Sequence, residues 1–415
     1  MGEIMNTLTI KNFGPIKDVT LNIKKVNLLI GTQGSGKSTI AKILSIMNDP
    51  TLVLANSVDS FLVDYNIDFE LIESTLIEYR TPLVNITIRG KHLEHGLLET
   101  ISESSVDNFE ESLLKVSEND TSKFMTTLLN LTMGMPLSEA ISDNIFSTID
   151  VFGNKNAALQ KEQRRYLIKL LFTSIQWEKM FETCVYIPAE RNIVSLIADN
   201  FFALGDSLGL PKCIRQFGVN YERARKSYES IFFMEIPFIN GLHYRRKNKK
   251  DEIMYQEVTS TLAQGSSGFQ SSVPLAVVCS KNRNTNKSLF IIEEPEQNLY
   301  PVTQYDLVKF IADNCLQNDN KLLVTTHSPY ILTSFVNLIQ AHASGAVKPR
   351  VTAKLIPKLQ WIDFNDVSAY FIDEGTSKDI LDYEEKTIFA EAIDNASADI
   401  ANEYSGLLDI AYTKK

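Results

Sequence analysis

The chain has 415 residues, 44% hydrophobic content and a formal net charge of −10. That length implies one large domain with an insertion, or two domains. The acidic balance excludes a protein that coats nucleic acid with its whole surface, because phosphate binding requires clustered Lys and Arg.

Leu8 to Ile30 alternates apolar and polar residues around Gly14-Pro15, which predicts a small antiparallel meander. It leads into a short buried strand at Lys25 to Ile30. GTQGSGKS follows, from Gly31 to Ser38, with the G-x-x-x-x-G-K-[ST] spacing of a phosphate-binding loop, and Thr39 to Ile46 continues as an apolar-periodic helix. In such a loop successive backbone N–H groups wrap the phosphates, Lys37 reaches the β and γ oxygens, and Ser38 ligates Mg²⁺. The candidate nucleotide-binding residues are therefore Gly31, Gln33, Gly34, Ser35, Gly36, Lys37, Ser38 and Thr39.

From 49 to 180 the pattern reads as a mainly helical insertion, with a strand within Pro82 to Arg89. CVYIP, Cys184 to Pro188, is a buried strand inside a core segment 181–192. Residues 193–235 read as a helical lobe, and 236–415 return to the core begun in 1–48. The basic run His243 to Lys250 lies between two strand-like stretches and reads as a solvated hairpin turn.

GSSGFQ, Gly265 to Gln270, offers small residues and free backbone N–H groups before a helix, a second anion-binding arrangement. A domain that already owns one phosphate loop has no need of another, so Ser266, Ser267, Gly268 and Gln270 are assigned to the γ-phosphate held by a neighbouring subunit. LFIIEEPE, Leu289 to Glu296, places adjacent acids after a buried strand. Glu293 is assigned to magnesium and Glu294 to activation of the attacking water. KLLVTTHSP puts His327 after another strand, where its imidazole can hydrogen-bond the γ-phosphate. Strand, acidic turn, helix, strand, histidine turn, helix is the rhythm of a parallel sheet covered on both faces. The tail predicts one strand, SAYFID, followed by amphipathic helices.

No window approaches the about 20 apolar residues of a membrane span, and the N-terminus has no secretory pattern, so a cytoplasmic protein without a membrane is expected. The cysteines Cys184, Cys213, Cys279 and Cys315 have no metal-ligand spacing and are expected as buried thiols.

With these motifs in this order the chain resembles the ABC-type ATPases, in the soluble branch that includes SMC proteins, RecF and the OLD-family phage-defence ATPases. GTQGSGKS resembles the Walker A motif, GSSGFQ the signature loop, FIIEEPEQNLYP the Walker B motif and D-loop, and TTHSP the switch histidine. The resemblance implies an α/β fold with a mixed, largely parallel sheet, helices on both faces, an N-terminal antiparallel meander and a helical insertion. It also implies two monomers sandwiching ATP and Mg²⁺, with Ser266 and Gly268 acting in trans and hydrolysis opening the pair. No Q-loop glutamine can be placed; Glu190 or Arg191, after CVYIP, occupies that position and is expected near Mg²⁺ or phosphate.

OLD proteins carry a nuclease that needs a later Asp-x-Asp, and none follows His327. The expectation is a homo-oligomeric, slow ATPase that senses or scaffolds, controlling a separate effector in response to a phage protein, as in the two-component systems PARIS and Septu. The alternative is a RecF- or SMC-like ATPase of DNA maintenance that clamps DNA. A transporter subunit fits the Glu-Glu acidic motif and the long insertion poorly, and a nucleotide-locked scaffold is the non-enzymatic reading.

Overall fold

The computed structural model describes residues 6–95 apart from 50, 53, 54, 56 and 83, together with 107, 182–197, 209–229 and 232–389. An 11-stranded sheet organises them, in the order β6-β5-β4-β1-β2-β15-β14-β3-β13-β12-β7. Its strands are β1 Thr7–Phe13, β2 Ile16–Asn22, β3 Val26–Gly31, β4 Leu76–Arg80, β5 Asn85–Arg89, β6 His92–His95, β7 Thr183–Ile187, β12 Ser288–Glu293, β13 Lys321–Thr326, β14 Val367–Asp373 and β15 Thr376–Asp379. A four-stranded sheet, β11-β10-β9-β8, contains β8 Met234–Glu235, β9 Leu242–Lys247, β10 Lys250–Tyr255 and β11 Val258–Thr261. β16 Leu381–Asp382 and β17 Thr387–Ile388 form a small pair.

The helices are α1 Lys37–Met47, α2 Asp59–Asp64, α3 Asn192–Ile197, α4 Lys212–Arg225, α5 Ser267–Lys281, α6 Pro301–Cys315, α7 Pro329–Val347 and α8 Pro349–Leu355. The fold is mixed α/β.

Strands β14, β3, β13, β12 and β7 are mutually parallel. Every residue of β3 and β12 is buried, the mark of strands covered on both faces. α1 packs along β3, β12 and β13, and α4 covers β7. Leu28, Leu29, Ile40, Ile43, Leu44, Ile291, Ile292, Leu323 and Val324 fill the core beneath the phosphate loop.

The antiparallel half differs from the expected meander. β1 and β2 pair as predicted, closing at Gly14-Pro15 with Phe13 opposite Ile16. β3 does not pair with β2, because the tail hairpin β14-β15 lies between them. The tail therefore contributes a hairpin where one strand was expected, and the amphipathic helices read beyond it fall at 390–415, outside the described residues.

The strand expected within Pro82 to Arg89 is β5, but the mainly helical reading from residue 49 fails for its neighbours β4 and β6, which with β5 extend the sheet beyond β1. Ile77, Tyr79, Ile86 and Ile88 are buried at two-residue intervals, and this period-two burial selects strand over helix. Apart from residue 107, the rest of the insertion, 96–180, lies outside the described residues.

The basic run also reads differently in three dimensions. Only Asn248 and Lys249 form the turn, with φ of 51° and 65°, while residues 243–247 belong to β9. Both positive φ values match a two-residue hairpin turn that follows the strand twist. Arg246 is buried and pairs with Glu222 at 3.2 Å, and Arg245 pairs with Glu252 at 2.7 Å. The neighbouring Arg225 reaches Asp251 at 2.8 Å, tying α4 to the small sheet that leads into α5.

Candidate functional site

The phosphate loop runs from the end of β3 into α1, and backbone shape fixes it from both sides. A Cβ on Gly31 would sit 2.0 Å from the Ile372 carbonyl oxygen of β14, so the neighbouring strand requires glycine there. Gly36, the N-cap of α1, has φ of 103°, a left-handed conformation that an L side chain resists. No side chain caps this helix, so its first N–H groups remain available to an anion. Thr32 Oγ1 donates to Asp373 Oδ1 at 3.0 Å, which holds the loop against the tail hairpin. Gln33, Gly34 and Ser38 are exposed at the loop mouth, while Ser35, Lys37 and Thr39 are buried.

Lys37 Nζ donates to the carbonyl oxygens of Gly31 at 2.9 Å and Thr32 at 2.8 Å, and approaches Ser35 Oγ at 3.3 Å. It also stands 3.5 Å from His327 Nδ1. Burial pushes the Lys37 ammonium down to about 8, against the opposing pull of Glu294 and Glu296. His327 Nε2 lies 3.2 Å from Glu294 Oε1, so Lys37, His327 and Glu294 form a chain across the mouth of the loop. Lys37 and Glu294 thus face opposite ring nitrogens of His327.

Glu293, at the end of β12, is buried, and Tyr186 OH of β7 donates to its Oε1 at 2.5 Å. Burial raises the Glu293 carboxyl, while hydrogen bonds from Ser38 and Tyr186 oppose the rise. Ser38 is thus the contact between the phosphate loop and the acidic strand. Glu294 differs: its φ is 41°, which swings the side chain out of the strand direction into a partly exposed position.

These positions test whether Mg²⁺ and a triphosphate fit. The loop supplies uncapped N–H groups and a cation for phosphate; the Ser38–Glu293 contact supplies hard oxygen ligands beside it. Among the described residues no all-protein cluster of three or more His, Cys, Asp or Glu could hold a metal. This suits Mg²⁺, which keeps water and substrate oxygens in its shell and needs only one or two protein ligands. The group fits.

Arg191 overturns its expected place near phosphate. All of its N–H donors are spent on carbonyl oxygens: Nε on Ser271 at 3.1 Å, Nη1 on Pro188 at 3.2 Å and Glu293 at 2.9 Å, Nη2 on Glu294 at 2.9 Å and Pro295 at 3.2 Å. The side chain is fully buried and braces the turn that carries both acids. Glu190 is exposed, and its charge acts on Glu293, which keeps it on the acidic side of the site.

Within GSSGFQ, Gly265 and Ser266 precede α5, and Ser267 to Gln270 form its first turn. Ser266 is the N-cap, its Oγ accepting from Phe269 N at 3.4 Å. Gly268 is required by its own chain, since a Cβ there would meet Asn298 O at 2.8 Å. Gln270 Nε2 donates to Ala263 O at 2.9 Å and Gly265 O at 3.0 Å, so this residue shapes the approach to the helix instead of reaching outward. Ser266 and Ser267 are exposed. Among the described residues no hydrogen bond or ion pair joins Ser266, Ser267 or Gly268 to the phosphate loop.

Two partners, Glu296 and Tyr186, escaped the sequence reading, and Arg191 holds a place other than the expected one. Glu296 Oε1 accepts from Thr326 Oγ1 at 2.7 Å and His327 N at 2.9 Å, fixing the histidine turn. Tyr186 holds Glu293, and Arg191 holds the acidic turn. Glu296 was within reach, being two residues from Glu294; the Tyr186 and Arg191 pairings join segments far apart in sequence.

The parallel sheet, the loop between β3 and α1, and the acids ending β12 define a P-loop nucleotide-binding fold. The family model of the AAA ATPase domain matches residues 4–196 and 209–332, and the chain belongs to that family. Among curated proteins none matches. Solved structures with some likeness are the Smc head domain with an extended coiled coil, bound to the C-terminal domain of ScpA, from Pyrococcus furiosus, the SMC head domain from Thermotoga maritima, and the Smc head domain with a coiled coil and joint from Pyrococcus yayanosii. Identities are 12%, 10% and 10%, with TM-scores of 0.36, 0.39 and 0.42. They cover 97%, 91% and 95% of this chain and 99%, 98% and 99% of their own. At these scores the likeness carries no conclusion about fold or function.

Proposed function

We propose that this chain binds and hydrolyses ATP with Mg²⁺ at a site completed by a second copy of itself. One observation carries this reading: Lys37, His327 and Glu294 converge at the mouth of the phosphate loop, beside the Ser38–Glu293 contact. Lys37 and the N–H groups of Gly34 to Ser38 bind the phosphates. Ser38 and Glu293 hold Mg²⁺, which neutralises phosphate charge when bound. Glu294, partly exposed and oriented by His327, accepts the proton of the attacking water. Ser266 and Ser267, exposed at the start of α5 and unattached to the loop of their own chain, cap the γ-phosphate of the partner.

Glu294→Gln removes the base and keeps the shape. Phosphate release is expected to fall by about 10² to 10⁴ while nucleotide affinity stays within about twofold. Equal release by both proteins would support the nucleotide-locked scaffold instead.

On the resemblance of its motifs, we further assign the nucleotide state to the control of a separate effector protein in anti-phage defence. Affinity purification from the native host with and without infection tests this step, the expected result being an effector whose association changes on infection. Clamping of DNA is the second reading, favoured by exposed Lys247, Lys249 and Lys250 at the tip of the β9-β10 hairpin. It requires ATPase stimulation by DNA and binding that weakens steeply with salt.

A further inference from the structure

Charge along this chain is segregated in a way the nucleotide site does not use. From Lys321 to Ile362 there is no Asp or Glu, although the whole chain carries −10. Within this stretch Lys348, Arg350, Lys354 and Lys358 are all exposed, and none is in an ion pair among the described residues. Exposed apolar residues alternate with them along the chain. Val351 and Leu355 lie one turn apart on the same face of α8, with Val347 and Leu359 at its ends, and all four are 59–78% exposed. Isolated exposed apolar residues need no explanation, but Val347, Val351, Leu355 and Leu359, interleaved along the chain with like charge, mark an interaction surface.

The opposite surface exists on the same molecule. Between Lys42 and Arg80 there is no Lys or Arg. α2 and the segment after it expose Val63, Phe69 and Ile72 at 41–63%. Asp59, Asp68, Glu70 and Glu73 are exposed around them, and none is in an ion pair among the described residues. Phe69 is held in place by an edge-on contact with Phe13, ring centroids 5.5 Å apart.

We infer that the basic face 347–359 of one copy docks on the acidic face 59–73 of another. Each face pairs exposed apolar side chains with a single sign of charge, and the signs are opposite, so contact buries apolar surface and neutralises both rims. Two different patches meeting make a head-to-tail contact, which builds rings or open chains instead of closing at two copies. The contact uses neither the phosphate loop nor the start of α5, and it forms without nucleotide. A nucleic-acid surface would need the cations but not the apolar residues between them, which is why a protein surface is preferred.

Sedimentation velocity of the full chain in nucleotide-free buffer, over a protein concentration series, tests it. At low salt a species heavier than the monomer is expected, receding as salt rises. Lys354→Glu with Lys358→Glu should weaken association about tenfold or more, and so should Glu70→Lys with Glu73→Lys. Mixing the two variants restores complementary faces and should restore the heavier species. A monomeric wild type overturns the inference, as does a heavier species unaffected by either double reversal, or a mixture no heavier than its parts. ATP hydrolysis by the same variants reads the nucleotide site separately, so failure of one reading leaves the other standing.

Discussion

Helices α1 and α5 both begin on a serine-glycine turn, yet their N-termini are completed differently. α1 has a left-handed glycine N-cap and no side-chain cap, a buried lysine in its first turn, and at its mouth the acids that end β12 and the histidine that follows β13. α5 is capped by its own Ser266, and neither its first turn nor its immediate approach carries a charged residue. The first is a whole phosphate cradle. The second is the positive end of a helix with small exposed side chains, which suits an anion whose charge is met elsewhere. One site for holding and one for closing is the division of labour expected of a nucleotide shared between subunits.

Arg191 links α5 to the acidic turn that faces the α1 cradle. Its guanidinium joins the carbonyl of Ser271 in α5 to those of Glu293, Glu294 and Pro295 in the acidic turn. Arg191→Lys keeps the charge but loses the planar fork, so several buried carbonyls lose their donor. Turnover is expected to fall about 10- to 100-fold through misplacement of Glu294, with nucleotide affinity unchanged within about twofold. Steady-state kinetics beside a direct nucleotide-binding titration separates the two. If affinity falls as far as turnover, the brace serves the phosphate cradle and the contrast between the helices weakens.

A smaller effect follows from Lys37. Its folded-state value of about 8 lies below the ordinary 10.5. A bound triphosphate stabilises the charged ammonium, so binding above about pH 8 requires proton uptake. Affinity should be flat below about pH 8 and fall by up to about tenfold per unit above it. Folding stability moves the other way in this window: between 8 and 10.5 the unfolded chain binds more protons, so the Lys37 contribution rises with pH. Nucleotide titration and thermal unfolding at matched pH values check the opposed slopes. α5 has no such group, so affinity that is independent of pH to about pH 10 would remove Lys37 from the cradle.

Three of the motifs were legible because each is local: the turn glycines and lysine, the adjacent acids and the histidine all lie within a few residues of a buried strand. The pairings that make them a site were not. Tyr186 meets Glu293 across the β7-β12 pair, and Gly31 meets Ile372 through a tail hairpin that enters the sheet beside β3. Arg191 was noticed for its position and misread in role, since nothing in PAER shows that a guanidinium will be spent entirely on carbonyls. β4 and β6 were hidden because LIEYR and HLEH are short and polar, and their period-two burial appears only against β1 and β5. The basic run misled in the opposite sense, because Arg245 and Arg246 are neutralised by partners outside it.

The most direct measurement concerns the sharing of the nucleotide. Lys37→Ala disables the cradle, and Ser267→Arg crowds the exposed start of α5 without touching its cap. Each variant alone should lose nearly all ATP hydrolysis. In an equimolar mixture, randomly formed mixed pairs keep one whole site, from Lys37 of one copy and Ser267 of the other, and about a quarter of wild-type activity should return. A mixture no more active than the sum of its parts would contradict the shared site.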